Sequence, residues 1–403
     1  MFRSAPIASL MICIALIAVG ELPAQDSLRS DVATMLKVGP AGAGHQAARE
    51  AADRLSRLPA AQIGVILGAF GDASPLVKNW LRVVASSVAE NGEFPKQELL
   101  AFFADRSRDP DARHLVFQLL VANDPQSLAM LMEGAQTDPS LPVRHLAISR
   151  MLDRAAAQQE GKENDAAIAS YREVLAEGRN PNQLKAAANA LEKLGVKVDL
   201  AEELGMIRRW WAMGTYDNEG SKHFATSYLP ETLYVAEGRL PPAWLAEKAP
   251  IRKADESDNA PQVAHLVTSD DPLGMVDLNP TFAKAKDAVV YAYAEFDLPP
   301  DFFRGKSSAS QAGQRVQARL GCITANKVWV NGKPVLSNEV YHSGTRIDQY
   351  VGECSLVPGR NTVLIKVLQN AQTEPWAQDW QFQFRFTDLT GAGLPIVPTT
   401  PGP

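Results

Sequence analysis

The stretch that decides the fold of the last third of the chain is Lys327-Val-Trp-Val-Asn-Gly-Lys333. Its β-branched and aromatic side chains lead into Asn331-Gly332, a dipeptide that type I′ hairpin turns favour because both central residues need positive φ. Residues 357–367 are also strand-like, and residues 380–386 alternate apolar and polar side chains without a break. A period of two is typical of a strand with one buried face. The sequence therefore predicts antiparallel β structure here.

Two earlier stretches extend the β region. Residues 289–296 are rich in Val, Tyr and Ala, and in residues 315–320 the side chains of Val316, Ala318 and Leu320 alternate with polar ones. Strands of this kind pack as two sheets with loops gathered at the ends. We expect an antiparallel β-sandwich over residues 206–390, with seven or eight strands.

The first 24 residues have the pattern of a signal peptide. Arg3 precedes an apolar run over residues 10–19, and Ala24 is a small residue at the expected cleavage point. The run is shorter than the ~20 apolar residues that a membrane helix needs. We expect export to the periplasm or the extracellular space, with no membrane contact after cleavage; an uncleaved anchor is the alternative.

Residues 25–205 are rich in Ala and Leu and predict an α-helical domain. Three helix starts share one pattern, an acid followed by a Pro and then by a basic residue: residues 72–78, 109–113 and 138–147. The acid caps the free N–H groups, and Pro is tolerated in the first turn. The pattern resembles HEAT-type helical repeats over residues 72–156. That resemblance implies a solenoid that docks a protein partner; an ordinary helical bundle is the alternative.

The composition and the missing motifs exclude several functions. The formal net charge is −6, whereas nucleic acids and anionic membranes select basic surfaces. The sequence has no Gly-rich phosphate loop, His-x-x-x-His pair, Cys-x-x-Cys pair or Gly-x-Ser-x-Gly elbow. We therefore expect a protein without enzymatic activity, metal or cofactor.

Residues 210–388 resemble the galactose-binding-like jelly roll that accompanies glycoside hydrolases as a sugar-binding domain. The matching residues open the β region: Trp211, Gly214, Asp217, Asn218, Gly220, Phe224, Tyr228, Pro230 and Glu231. The resemblance implies a jelly roll and carbohydrate binding. Typical members carry two adjacent acids before the Asn-Gly hairpin, whereas this chain has Gly321-Cys-Ile-Thr-Ala-Asn326. Sugar contacts are therefore expected from other loops.

Two polar loops supply the candidate ligand residues. Residues 341–348 contain Tyr341, His342 and Asp348, and residues 373–379 contain Trp376 and Asp379. Trp376 lies outside the alternation of residues 380–386, so its indole is the expected stacking surface for a sugar. Packing beneath its own loop is the alternative.

Two other features concern the end of the chain. Cys322 and Cys354 would survive signal cleavage into an oxidising compartment, and we expect a disulfide between them; two buried free thiols are the alternative. Residues 391–403 are rich in Pro, Thr and Gly and predict a disordered tail.

These observations favour an exported binding protein, with helical repeats for a protein partner and a jelly roll for carbohydrate or another extracellular ligand. The alternatives are a purely structural assembly module and a hydrolase with an unrecognised site.

Overall fold

The structure, a computed structural model, describes residues 22–245, 264–303 and 313–399. The expected signal peptide therefore lies almost wholly outside the described residues. Within the described ranges, no helix combines the length and the apolar character needed to cross a bilayer.

The chain is helical first and then β, as the sequence predicted. The described helices are α1 (Leu22–Met35), α2 (His45–Leu55), α3 (Ile63–Gly68), α4 (Pro75–Ala89), α5 (Lys96–Ala104), α6 (Pro110–Asn123), α7 (Leu128–Leu131), α8 (Leu141–Glu160), α9 (Asn164–Glu177), α10 (Pro181–Lys193), α11 (Leu200–Glu203) and α12 (Leu229–Glu237). At α6, Asp109 caps the free N–H groups of Asp111 and Ala112, as its sequence predicted. At α4 the cap is Ser74 rather than Asp72.

Charged pairs link neighbouring helical segments within residues 22–143. Each pair joins a basic residue to an aspartate of another segment: Arg54 to Asp31, Lys78 to Asp109, Lys96 to Asp124 and Arg113 to Asp138. The last pair is fully buried, and Arg113 also donates to the backbone oxygen of Phe103 at 2.6 Å. The basic residue of a start thus meets a carboxylate of the next one, as the repeat pattern predicted.

The chain divides into two compact units between Val143 and Arg144. The sequence placed the change of domain at 205/206, where strand replaces helix. The helices from residue 144 onward belong instead with the sheets. Arg385 Nη1 donates to the Leu204 oxygen at 2.9 Å, and Leu200 and Leu204 share an apolar cluster with Leu273.

The β structure consists of two antiparallel sheets. The strands are β1 (Arg209–Asp217), β2 (His265–Thr268), β3 (Val276–Asp277), β4 (Ala288–Leu298), β5 (Gln314–Cys322), β6 (Asn326–Val330), β7 (Lys333–Asn338), β8 (Tyr350–Leu356), β9 (Gly359–Gln369) and β10 (Gln381–Thr387). One sheet has the order β2-β1-β4-β9-β6-β7, and the other has the order β3-β10-β5-β8. Side chains from both sheets form one core, which includes Trp210, Val290, Val316 and Phe384.

The hairpin at Asn331-Gly332 joins β6 to β7, and both residues have positive φ, at 50° and 77°. This confirms the turn that the dipeptide predicted. Trp210 and Trp211 point to opposite faces of β1, and both are buried, because the six-stranded sheet is covered on its outer face as well.

The outer cover of the six-stranded sheet is residues 218–245, called the strap below. Helix α12 lies in the strap, and its Tyr234 is fully buried. Lys366 projects from β9 into the strap, where its Nζ lies 3.5 Å from Glu231 and donates to the backbone oxygen of Thr226 at 2.6 Å. Glu231 also accepts from Tyr291 at 2.8 Å. Burial lowers the pKa of Lys366 to about 8, against the attraction of the Glu231 charge.

The expected disulfide is absent, since Cys322 and Cys354 are both free. Cys354 lies opposite Val316 on β5, whereas Cys322 is at the far end of that strand, 322 − 316 = 6 residues away. At ~3.3 Å per residue this is about 20 Å, and a disulfide needs Cα atoms within about 7 Å. Burial raises the pKa of both thiols to about 12.

The expected disordered tail is ordered over residues 391–399. Leu394 and Ile396 are buried in the core between the sheets, and Thr399 donates its N–H to the Glu295 oxygen at 2.8 Å. Two apolar side chains in a Pro-rich and Gly-rich segment are enough to hold it against the sheets. Residues 400–403 lie outside the described ranges.

Candidate functional site

Several loops gather at one end of the six-stranded sheet. β1 ends at Asp217, opposite Ala288 at the start of β4, and Ala288 in turn lies opposite Gln369 at the end of β9. Asn338 at the end of β7 lies opposite Asn326 of β6, and Asn326 lies opposite Val367 of β9, so the loop after β7 emerges at the same end. The loop after β9 contains Trp376 and the loop after β7 contains His342, which the sequence proposed as ligand residues.

Trp376 and His342 form a corner at this end, which we call the Trp376 corner and define as Trp376, His342 and Asn370. The Trp376 side chain is 59% exposed and is not packed beneath its loop. Its ring centroid is 5.4 Å from that of His342, and the two ring planes are nearly perpendicular, at 89°. The imidazole therefore contacts the indole, while much of the Trp376 side chain stays open to solvent.

Hydrogen bonds fix the orientation of His342. Its Nε2 lies 2.9 Å from Asn370 Oδ1, and that oxygen also accepts from the backbone N–H of Gln372 at 3.2 Å. Asn370 Nδ2 donates to Gln372 Oε1 at 2.9 Å. Because these bonds define Asn370 Oδ1 as an acceptor, His342 Nε2 must be the donor. The imidazole is thus held in one orientation, and its Nε2–H is already bonded to Asn370.

Hydrogen bonds from Lys286 and Gln369 anchor the loop that carries Trp376. Pro375–Ala377 form a single 3-10 turn, and the Ala377 oxygen accepts from Lys286 Nζ at 3.1 Å. Gln369 Nε2 donates to the Asp379 oxygen at 3.3 Å. These bonds hold the backbone that follows the indole, so Trp376 is displayed by a fixed turn.

Asn218 connects the strap to the second loop. Its Nδ2 donates to Tyr341 Oη at 3.1 Å and to the Gln369 oxygen at 2.9 Å, and the Asn218 side chain is fully buried. Burial raises the pKa of Tyr341, so its hydroxyl stays protonated at neutral pH. The sequence singled out Asn218 within a motif but gave it no part in the site. Because Asn218 bonds to Tyr341, the residue before His342, it supports the loop that carries His342.

The five predicted site residues do not all meet. Trp376, His342 and Tyr341 share the loop end, and Asp379 is exposed three residues after Trp376. Asp348 lies against the four-stranded sheet instead, where it accepts from Arg319 at 2.7 Å and from Arg385 at 2.6 Å. Burial acts to raise the pKa of Asp348, but the two arginines prevail and lower it. Both oxygens of Asp348 are thus engaged by arginines of the four-stranded sheet, away from Trp376 and His342.

A cleft of about 760 Å³ lies elsewhere in the unit of residues 144–403, between α10 and residues 270–273. Asp199 and Arg208 pair across it, and the hydrogen bond from Arg208 lowers the pKa of Asp199. A general acid needs a raised pKa, so this shift has the opposite sign to the one that acid catalysis uses. Across the described residues, no cluster of three or more His, Cys, Asp or Glu could hold a metal ion.

The chemistry of the Trp376 corner is that of recognition. A flat indole face suits the C–H face of a sugar ring, and an amide such as that of Asn370 suits hydroxyl groups. The residues of the corner contain no nucleophile next to a base, which hydrolysis of a bound ligand would need.

No protein-family model matches the chain, and no curated protein matches it. Among solved structures, it is similar to the crystal structure of the GH31 alpha-xylosidase from Xanthomonas citri, at 17% identity and a TM-score of 0.15. That similarity covers 28% of this chain and only 11% of the xylosidase. A likeness at this TM-score bears on neither fold nor function.

Proposed function

We propose that this chain is an exported, non-catalytic binding protein, which binds carbohydrate through the Trp376 corner and a protein partner through its helical unit. The observation behind the carbohydrate half is the exposed indole of Trp376 on an anchored turn. Leaving a large aromatic surface in water is unfavourable, so a ligand that covers it gains apolar contact. The two-sheet core is consistent with a jelly roll. Sugar-binding jelly rolls of the type that the sequence resembles bind their ligands through loops.

The test of the carbohydrate half is affinity electrophoresis of the purified protein through gels that contain soluble polysaccharides. We expect retardation by at least one neutral polysaccharide. Trp376→Ala should weaken that binding at least fivefold, which corresponds to the loss of ~1 kcal/mol of aromatic contact. Trp376→Phe should keep part of it.

The matched control is Val351→Ala, which removes a side chain that is 45% exposed on β8, in the other sheet. Its binding should equal that of the wild type. A protein that no glycan retards, or a Trp376→Ala variant that binds normally, would contradict carbohydrate binding at this corner.

The protein-binding half is supported by a groove in the unit of residues 22–143. This groove has a volume of about 370 Å³, and its wall includes Phe103, Leu131 and Met130, the last of which is 52% exposed. The ladder of charged pairs fits stacked HEAT-like repeats, and we propose that these helices form a solenoid. Stacked repeats provide extended binding surfaces.

The test of this half is affinity purification from the exported fraction of the native cells. Met130→Glu places a charge in the groove and should abolish retention of a stoichiometric partner. Val83→Glu alters a side chain that is 68% exposed on α4, outside the groove, and should not. If no partner is retained, or if both variants behave alike, the groove is not the contact surface.

A further inference from the structure

The cleft between α10 and residues 270–273, called the α10 cleft below, is a second place where a ligand could bind. Its volume of about 760 Å³ lies within the range of ~300–1,000 Å³ that is typical of pockets for small ligands. Neither Trp376 nor His342 lines this cleft. A ligand bound here would therefore be recognised separately from one at the Trp376 corner.

The bottom of the α10 cleft is apolar. Ala188 and Leu200 line it, are only 3% and 8% exposed, and belong to one apolar cluster. Val198 and Leu273 also line the cleft and pack against that cluster. An apolar group that covers these side chains loses contact with water, which is favourable. The cleft thus suits a ligand with an apolar part.

The rim of the cleft carries charges of both signs. Asp199 and Arg208 already pair with each other, so they are engaged without a ligand. Lys197 and Asp270 each add a further charge, one positive and one negative. A rim of this kind does not select anions or cations alone, and it suits a ligand that has both an ammonium and a carboxylate group.

The wall that α10 provides sets the length of such a ligand. Lys185 and Glu192 both line the cleft and are exposed, and within the described ranges neither of them forms an ion pair. They are 192 − 185 = 7 residues apart, which at ~1.5 Å per helical residue is about 10 Å along the axis. An extended peptide advances ~3.3 Å per residue, so the two ends of a tripeptide are separated by about the same distance.

The middle of this wall suits a peptide group. Asn189 lies between Lys185 and Glu192 and also lines the cleft. Its side-chain amide can donate and accept a hydrogen bond, as the backbone of an extended peptide requires. The wall therefore presents a cation, an amide and an anion in that order, above an apolar floor.

We propose that the α10 cleft binds a short extended peptide of about three residues with free ends. Lys185 pairs with its carboxylate, Glu192 pairs with its ammonium group, and its central apolar side chain lies on the floor formed by Ala188 and Leu200. This site is additional to the proposed carbohydrate site and does not depend on it.

The experiment is titration calorimetry on the full chain with the tripeptides Ala-Leu-Ala, Ala-Phe-Ala and Ala-Gly-Ala. We expect Ala-Leu-Ala or Ala-Phe-Ala to bind, and Ala-Gly-Ala to bind at least about fivefold more weakly because it has no apolar side chain for the floor. Acetylating the amino end or amidating the carboxyl end should each weaken binding about threefold, as expected for the loss of an exposed ion pair. Absence of binding by all three peptides, or blocked peptides that bind as well as free ones, would overturn the proposal.

Variants at exposed positions of α10 test which residue binds which end. In Lys185→Gln, amidation of the peptide should cause no further loss, and in Glu192→Gln, acetylation should cause none. The matched control is Lys193→Gln, which changes an exposed residue of α10 outside the cleft and should keep both penalties. A penalty for amidation that persists in Lys185→Gln would show that Lys185 does not bind the carboxylate.

Trp376→Ala separates this site from the carbohydrate site. The variant should bind the tripeptide as the wild type does, whatever its effect on polysaccharide binding. Loss of tripeptide binding in Trp376→Ala would contradict a separate site in the α10 cleft.

Discussion

The buried Lys366 makes a pH-dependent prediction for the unit of residues 144–403. Its side chain is fully buried, its pKa is lowered from 10.5 to about 8, and Glu231 is its counter-charge at 3.5 Å. Between these two values the unfolded chain binds a proton that the folded chain does not. The contribution of Lys366 to stability therefore rises with pH across this window, and it is lost below pH 8.

The size of the effect follows from the two pKa values. At ~1.36 kcal/mol per pH unit, the contribution of Lys366 to the free energy of unfolding should rise by about 2 kcal/mol between pH 7 and pH 9.5. Cys322 and Cys354 act in the opposite direction as pH approaches 9, because burial raises the pKa of both thiols to about 12, so the Lys366 contribution is taken as the difference between wild type and Lys366→Met. The change in the free energy of unfolding from pH 7 to pH 9.5 should be about 2 kcal/mol more positive in wild type than in Lys366→Met.

The assay is urea unfolding followed by tryptophan fluorescence at several pH values. Six of the seven tryptophans, all except Trp80, belong to the unit of residues 144–403, so the signal reports mainly on that unit. Lys333→Met, which removes an exposed lysine on β7, should keep the wild-type slope. Equal slopes for wild type and Lys366→Met would refute the reasoning.

Three further predictions follow from other buried groups. Arg113→Met should destabilise the helical unit by about 3–5 kcal/mol, measured by circular dichroism, because it removes the buried positive charge opposite the Asp138 carboxylate; Lys96→Met, in a half-exposed pair, should cost less than about 1 kcal/mol, and equal costs would contradict the burial argument. Cys322 and Cys354 should react slowly with a thiol reagent at pH 7 in the native protein and fast in denaturant; a disulfide found by mass spectrometry would contradict the strand register. Asp348→Asn should lower stability at pH 7 by about 3 kcal/mol. It should also flatten the loss of stability in acid, because the pKa of Asp348 is lowered in the folded state and its ion pairs stop contributing as pH falls through that pKa. An unchanged acid limb of the stability curve would count against this.

Local sequence predicted the parts of the fold that depend on neighbouring residues. Asn331-Gly332 has the two positive φ angles that its turn type requires, and the alternating run before Thr387 forms β10 with Phe382 and Phe384 in the core. Alternation and turn chemistry act within a few residues, so they can be read directly from the chain.

Other parts depend on which strands pair, and these were missed. β8 and the strap helix α12 have weak local signals and gain their structure by packing on neighbouring elements. Cys354 could be placed relative to Cys322 only once the register of β5 and β8 was known. The ordered segment after residue 390 likewise depends on a groove that distant strands create for Leu394.

The candidate site shows the same division. The exposure of Trp376 could be anticipated, because it lies outside the strand alternation. The positions of Asn370 and Asn218 could not, because each acts through a loop from a different strand. The ion pairs of Asp348 could not be anticipated either, because the arginines that neutralise it lie 29 and 37 residues away in sequence.

The measurement that tests the central claim most directly is fluorine NMR of protein labelled with 5-fluorotryptophan, titrated with the glycan that retards it most in affinity electrophoresis. The Trp376 resonance is assigned by its loss in Trp376→Phe. We predict that this resonance shifts with the ligand while those of the buried Trp210 and Trp380 stay in place. Binding that leaves the Trp376 resonance unmoved would contradict recognition at the Trp376 corner.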